Sequence, residues 1–346
     1  MIKSILFWVL AVFLAPFFSA LILKVKAFFG GKKGPPLLIN YYTLAKLFKK
    51  GSVYSTSTTF IFKLGPMVSL CSAITALLFL PFAGHTPVFS FNGDLLFIFY
   101  LLGLGRFFTI AAAMDTASPF EGMGAAREAY FPIICEATLF MILILFYVLT
   151  GELRLAAYLS GSQPFGLWRG AGSPMLFVVI ALFIILLAEN SRVPVDDPAT
   201  HLELTMIHEV MVLDHSGPDL GFIELGSFCK LFFYASIVAR LIVPFETGYL
   251  ALNFCLFTAG LIVVYMAVGV MESVMARYRM DRVPKFILTS FALAFFATVI
   301  TLEFIKCTFR ATRYCLWFCF RSSSRSVAAV CPGCSRYLPF RACSCP

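Results

Sequence analysis

Charge is what this sequence has least of. Asp, Glu, Lys and Arg make up 13% of its 346 residues, about half the share of an ordinary soluble domain. Such a surface cannot keep a chain of this length in water, so soluble classes are excluded first. No glycine-rich phosphate loop is present, which argues against nucleotide binding. No H-E-x-x-H spacing is present either, and with four histidines in the chain nothing supports a zinc hydrolase. The two halves show no internal repeat, which argues against a stand-alone secondary transporter. The basic residues are scattered between apolar runs, so the +9 net charge does not describe a nucleic-acid surface.

What is there is apolar. Hydrophobic residues are 60% of the chain and phenylalanines number 40, with a mean hydropathy of +0.90. A hydrocarbon core of ~30 Å needs ~20 helical residues. Runs of that kind lie near 4–23, 61–82, 94–114, 131–150, 173–189, 229–247, 249–271 and 284–304. They are continuous rather than alternating, which predicts helices. The expected fold is therefore an all-α polytopic membrane protein with about eight transmembrane helices and long cytoplasmic loops. The first run has no small-residue cleavage site, and Lys24 and Lys26 follow it; it reads as a retained span.

Lysine and arginine orient the chain. Lys24, Lys26, Lys32, Lys33, Lys46, Lys49, Lys50 and Lys63 fall between the first two runs, and Arg277, Arg279, Arg282 and Lys285 follow the seventh. With eight spans these share one side, and Lys3, Arg154 and Arg169 lie on the other. The basic side is expected to be cytoplasmic, with the N-terminus outside. Residues 1–304 read as the membrane domain. Residues 305–346 read as an atypical Cys/Ser/Arg-rich tail, disordered or not ancestral. Seven of the eleven cysteines lie there: Cys307, Cys315, Cys319, Cys331, Cys334, Cys343 and Cys345. Cys331-Pro-Gly-Cys334 has the spacing of a zinc or redox pair, but Cys343/Cys345 is poorly spaced to complete it.

The cytoplasmic segments carry the chemistry. In the first, Gly34-Pro35-Pro36 sets a rigid turn. The stretch after it, with Lys46 on its polar face, suits a helix on the membrane surface; a topogenic loop is the plainer reading. In the second, Gly122 and Gly124 permit close packing, and Arg127 and Glu128 lead into the fourth run, which holds Glu136. Arg106 lies inside the third run. Ionisable groups in spans are costly and mark function or a structural ion pair; Asp115, Glu128 and Glu136 are the candidate partners of Arg106.

The third segment is the longest and holds Glu189, Arg192, Pro194, Asp196, Asp197, Pro198, His201, Glu203, His208, Glu209, Asp214 and Gly217. Pro194 and Pro198 break helix, and a short helix fits 200–213. It would put His201, His208 and Glu209 near one face. A carboxylate–histidine chain of this kind can relay protons; a merely solvated loop is the alternative. No metal site is assigned.

Three segments also carry a resemblance. ENSRVPVDDPATHLELTMIHEVMVLDHSGPDLG, GRFFTIAAAMDTASPFEGMGAAREAYFP and KKGPPLLINYYTLAKLFKK resemble the membrane-anchor subunit shared by respiratory complex I and the membrane-bound nickel–iron hydrogenases. The DDPATHLELTMIHE form is most similar to the formate hydrogenlyase and energy-converting hydrogenase branch. The resemblance covers roughly residues 1–304. Ile39 and Thr43 stand where the family commonly has Gln and Asp, and the tail has no counterpart.

The resemblance implies a subunit with no redox centre of its own, in the inner (plasma) membrane. It would dock a peripheral electron-transfer arm and start a proton or ion path. The nickel–iron centre and iron–sulfur clusters would sit in partners: the hydrogenase large and small subunits and an iron–sulfur subunit, beside antiporter-like membrane subunits. The rival implication is the quinone-side subunit of a complex I-like oxidoreductase. A scaffold that docks the arm and moves no ions uses the same residues.

Overall fold

The computed structural model describes residues 2–161, 163–196, 207–245, 247 and 249–321. Asp197, Pro198, His201 and Glu203 lie outside the described residues, as do Cys331, Cys334, Cys343 and Cys345. Among the described residues the secondary structure is helical, with no strand. The helices are α1 (Ile2–Phe29), α2 (Ile39–Phe48), α3 (Phe60–Leu78), α4 (Asp94–Asp115), α5 (Pro119–Thr150), α6 (Leu155–Leu159), α7 (Gln163–Ala171), α8 (Pro174–Glu189), α9 (Pro218–Ile242), α10 (Leu250–Val274) and α11 (Val283–Arg321), with short 3₁₀ turns at Phe82–Gly84 and Glu209–Val212.

Among the described residues, seven helices are long and apolar enough to cross a membrane. The expected fifth run, 173–189, is α8, which has 16 residues and spans only ~24 Å. It joins α7 at an angle of 119°. Gly172, at φ +66°, ends α7, and Pro174 opens α8 at its first turn. The pair counts as one span only if the bend is included.

The chain divides into two compact units, Met1–Thr298 and Val299–Pro346. In the first, α9 is the central helix and touches α1, α2, α3, α6, α8 and α10. Phe232, Phe233 and Tyr265 are fully buried there beside Ile185, Leu186 and Leu187 of α8. In lipid, apolar burial between helices is not driven by water release; packing and interhelical polar contacts hold such a bundle. In the second unit, the backbone of α11 continues to Arg321, past the boundary at 304 that the sequence suggests.

Two boundaries differ from the sequence reading in ways that matter. α5 starts at Pro119 rather than 131, because Pro119 sits at the first helical position. The segment holding Glu121, Gly124, Arg127 and Glu128 is therefore helix, continuous with Glu136. α9 starts at Pro218 rather than 229, again with proline in its first turn. Its polar opening turns carry Asp219 and Glu224.

The basic first segment folds partly as expected. α2 buries Asn40, Leu44 and Leu47 on one face, and Lys46 is exposed on the other. α1 contains Pro16, which interrupts the helix ladder. Asn40 Nδ2 donates to the Pro16 carbonyl at 2.8 Å, and the Tyr41 hydroxyl donates to that of Phe13. α2 is thus pinned to the proline-bearing turn of α1. Gly34, at the Gly-Pro-Pro turn before Pro35, packs over Lys24 and Ala27.

Candidate functional site

The site begins at Arg106, midway along α4. Its guanidinium is largely buried and gathers three carboxylates. Nη2 lies 2.6 Å from Glu189 Oε2, Nη1 lies 3.2 Å from Glu136 Oε1, and Nε lies 3.9 Å from Glu128 Oε1. Of the sequence candidates, Glu128 and Glu136 are confirmed as neighbours and Asp115 is not. Asp115 instead accepts from the Thr59 backbone N–H at 2.6 Å and from its hydroxyl, fixing the start of α3. Glu189, the last residue of α8, is the closest partner.

Glu189 has a second cation. Lys230 Nζ lies 3.0 Å from Glu189 Oε2 and donates to the Glu189 carbonyl at 2.6 Å, capping the C-terminus of α8. Lys230 sits within FCKLFFY, an ionisable residue in an apolar run, and the rule that selects Arg106 selects it too. A parallel cluster lies nearby in the chain order. Arg192 Nη1 is 3.3 Å from Glu272 Oε1, and Lys26 Nζ is 3.0 Å from Glu272 Oε2. Lys26 therefore has a structural partner besides its topogenic charge, and Glu272 is a site residue the sequence reading missed.

The long segment is organised by Asp196. Its Oδ1 lies 2.9 Å from Arg277 Nη2. Its Oδ2 accepts from the backbone N–H groups of Ile207 and His208, both at 3.1 Å. One carboxylate thereby joins Asp196 to Ile207, His208 and Arg277. Tyr278 N–H adds a bond to the Pro194 carbonyl at 3.0 Å. Beyond it, the helix expected over 200–213 is, among the described residues, only the 3₁₀ turn Glu209–Val212.

That turn seats on α5. A Cβ on Gly124 would lie 3.0 Å from the Ile207 carbonyl and 3.1 Å from Met211 Cγ, so Gly124 is where the two approach. Gly122 does not share this role; nothing lies within 4 Å of its Cβ position. Glu121, buried, accepts from the Asp214 backbone N–H at 3.1 Å and from the Thr116 hydroxyl. Asp214 itself is exposed and joins the site through its backbone. Arg127 is half-buried on α5 and is not among the residues of the Arg106 cluster.

These groups enclose a cavity of about 120 Å³, whose lining includes Arg106, Glu128, Glu189, Arg192, His208 and Lys230. Asp196 and Glu209 also reach it, as do the hydroxyls of Ser69, Ser72 and Thr109. Among the described residues, Glu189 Oε1 and His208 Nδ1 are buried with no hydrogen-bond partner. A partly open pocket with carboxylates and an imidazole on its wall has room for water and can pass protons by short steps. No group of metal-ligating side chains occurs among the described residues.

His215 is a further residue to which the sequence reading gives no role. It is buried and stacks on Phe62 with ring centroids 4.0 Å apart. Burial lowers its pKa from 6.5 to about 4, against the opposing pull of Asp219 and Asp214. Its folded pKa is depressed, so between about pH 6.5 and 4 the unfolded chain binds more protons. Stability is then full above the free value and falls as pH drops through this window, by about 3 kcal/mol in all. We expect thermal stability in detergent to fall between pH 7 and pH 5, and less steeply in His215→Phe. Equal slopes in the two proteins would contradict this assignment. Gly217, two residues on, has φ +56°, and a Cβ there would lie 2.6 Å from the Gly51 carbonyl. The basic loop and the start of α9 touch through that glycine.

A family model described as NADH dehydrogenase matches residues 2–302. Hydrogenase-4 component C of Escherichia coli (strain K12) is 27% identical over 297 residues, covering 84% of this chain and 92% of that one. Formate hydrogenlyase subunit 4 of the same organism is 26% identical, covering 82% and 93%. NADH-ubiquinone oxidoreductase chain 1 of Arabidopsis thaliana is 26% identical, covering 64% and 71%. Among solved structures, a chain of the archaeal membrane-bound sulfane sulfur reductase, a respiratory membrane complex, matches at a TM-score of 0.70 with 20% identity, covering 87% of this chain and 98% of that chain. The last likeness concerns the fold alone.

Proposed function

This chain belongs to the NADH dehydrogenase family, and on that premise we propose that it is the membrane-anchoring, ion-coupling subunit of a membrane-bound hydrogenase of the formate hydrogenlyase kind. The single observation that carries the reading is the ion-pair series Glu136–Arg106–Glu189–Lys230, buried at Glu189 and largely buried at Arg106. It ends on a pocket lined on its other side by Arg192, Asp196, His208 and Glu209. A charge or conformational change in a peripheral arm docked on the loop that carries these residues reaches Glu189 through groups a few ångströms apart. In a low-dielectric interior, neighbouring carboxylates feel such a change strongly. The consequence is a shifted protonation equilibrium at Glu136 and Glu128, at membrane depth. The basic loops are assigned to the cytoplasmic face of the inner membrane, with residues 305–346 as an appended tail.

Two observations favour this branch over a quinone-side subunit. The chain covers more of its hydrogenase relatives than of the ubiquinone oxidoreductase chain, 92% against 71%. The charged cavity, at about 120 Å³, is below the ~300–1,000 Å³ of ordinary organic-ligand pockets and suits water. The nickel–iron centre and iron–sulfur clusters are assigned to the hydrogenase large and small subunits and an iron–sulfur subunit, with antiporter-like subunits beside this chain in the membrane.

Mild-detergent purification of the subunit from its native membranes tests the assignment. The expected eluate contains nickel and evolves hydrogen. Flavin with NADH-dependent quinone reduction, and no nickel, would move the chain to the complex I branch.

A further inference from the structure

No acidic residue precedes Asp94 in the sequence, although eight lysines lie between positions 24 and 63. The fold gathers three of them in one place. The first candidate span ends at Phe29, so the last turns of α1 reach the membrane boundary. Lys24 and Phe28, four residues apart, share a face of that helix. The chain then turns back on α1. Gly31 has φ +63°, and the Lys32 backbone N–H donates to the Ala27 carbonyl at 2.9 Å. A Cβ on Gly34 would lie 3.4 Å from both Cα and Cγ of Lys24. Lys32 and Lys33 are thereby brought back alongside Lys24, and all three are exposed.

Two features of this helix end call for a partner from outside the chain. The first is charge. Lys26 is matched by Glu272 at 3.0 Å. Among the described residues no ion pair reaches Lys24, Lys32 or Lys33. The second is apolar area, since Phe28 is 81% and Phe29 53% exposed beside those charges. Topology requires lysines on this side of the membrane. It does not require them gathered at one helix end next to bare phenylalanines. Three ammonium groups above exposed rings, at the end of a span, match a phospholipid with an anionic headgroup. The phosphate meets the lysines, and the acyl chains lie along the rings and the lysine stems. A soluble acidic protein face would meet the lysines and leave the phenylalanines uncovered at the lipid boundary. The lysines that end α2 have another setting. The Lys50 carbonyl lies 3.2 Å from where a Cβ on Gly217 would be, three residues from the exposed Asp214.

We propose that the end of α1 and the turn after it bind an anionic phospholipid, with Lys24, Lys32 and Lys33 on its phosphate and Phe28 and Phe29 against its chains. This site needs only the first span and is independent of the hydrogenase reading.

The test equilibrates the intact, detergent-purified complex with two phospholipid probes. Both carry the same photoreactive group near the top of one acyl chain, and they differ only in headgroup, phosphoglycerol or phosphocholine. Mass spectrometry maps the labelled peptides. The phosphoglycerol probe is expected to label residues 23–34 at least about fivefold more than the phosphocholine probe, the factor one basic residue contributes near an anionic surface. The preference is expected to fade as salt rises from about 50 to 500 mM. Combining Lys24→Gln, Lys32→Gln and Lys33→Gln is expected to abolish it. Arginine at the same three positions is expected to keep it, which separates loss of charge from faulty insertion. Combining Lys46→Gln, Lys49→Gln and Lys50→Gln removes as much charge from the same segment and is expected to leave it unchanged. Equal labelling by the two probes in wild type, or a preference that survives high salt or the first triple substitution, would overturn the proposal. So would inorganic phosphate competing as well as unlabelled phosphatidylglycerol. Labelling that emerges only after the peripheral subunits are stripped away would make a protein the occupant, and would overturn it too.

Discussion

Arg106→Met is expected to destabilise the protein by roughly 3–5 kcal/mol, the usual cost of removing one member of a buried ion pair. The size follows from what is left behind. Glu189, with its side chain 1% exposed, would keep only Lys230. Glu128 and Glu136 would keep none of the cations assigned to them among the described residues. Four elements, α4, α5, α8 and α9, meet at this one guanidinium and its neighbours, and in lipid such contacts hold helices that water release does not. For a chain of this size the loss corresponds to a fall of about 10 °C in the unfolding midpoint, read by thermal unfolding in detergent. Arg106→Lys is expected to fall between, because an ammonium keeps the charge but cannot reach three carboxylates with a planar fork. A midpoint within 2 °C of wild type in Arg106→Met, a margin of about 1 kcal/mol, would mean that the carboxylates are paired by other groups.

Glu189→Gln is the sharper functional change. It keeps the shape and leaves Lys230 its bond to the backbone carbonyl of residue 189. It removes the one negative charge that both Arg106 and Lys230 contact. A hydrogen bond to a charged group contributes about 1.5–3 kcal/mol, so the protonation equilibria of the neighbouring carboxylates shift by about ten- to a hundredfold. On the proposed hydrogenase reading, the hydrogen chemistry belongs to a partner arm and does not pass through this residue. The expected result is a complex that still turns over and moves about tenfold fewer ions per turnover.

Much of this arrangement is legible in the sequence, and what is not has identifiable causes. An ionisable residue in an apolar run is a local signal, and it selects Arg106 and Glu136 without any structure. It also applies to Lys230, which sits one residue inside the run drawn at 229–247, and to Glu272, one residue beyond the run drawn at 249–271. Both were lost at span edges, where polar residues are expected. The N-terminal part of α5 was read as loop because glycines and charges dominate it. Its helicity is supported from outside, by the 207–212 turn seated at Gly124 and by Glu121 holding the Asp214 backbone. The fifth run is legible as apolar, but nothing in it announces the 119° bend to α7.

Pairings across the chain were the least legible. Lys26 and Arg277 look like topogenic charges, and their partners Glu272 and Asp196 lie far off in sequence. His215 meets Phe62 across about 150 positions, and no local pattern announces a stacked, buried imidazole. Asp115 shows the converse error. As an ionisable residue just beyond the third run it is a candidate partner of Arg106, yet the Thr59 N–H at the start of α3 claims it.

The most direct test of the account is ion movement in inverted membrane vesicles carrying the intact complex, followed with a pH-sensitive dye while hydrogen evolution is recorded, in wild type and Glu189→Gln. The account predicts that hydrogen evolution with an artificial electron donor persists in the variant while the ions moved per hydrogen fall about tenfold. Equal ion movement per hydrogen in the two proteins would contradict it, and would leave the buried charges as packing contacts of a scaffold.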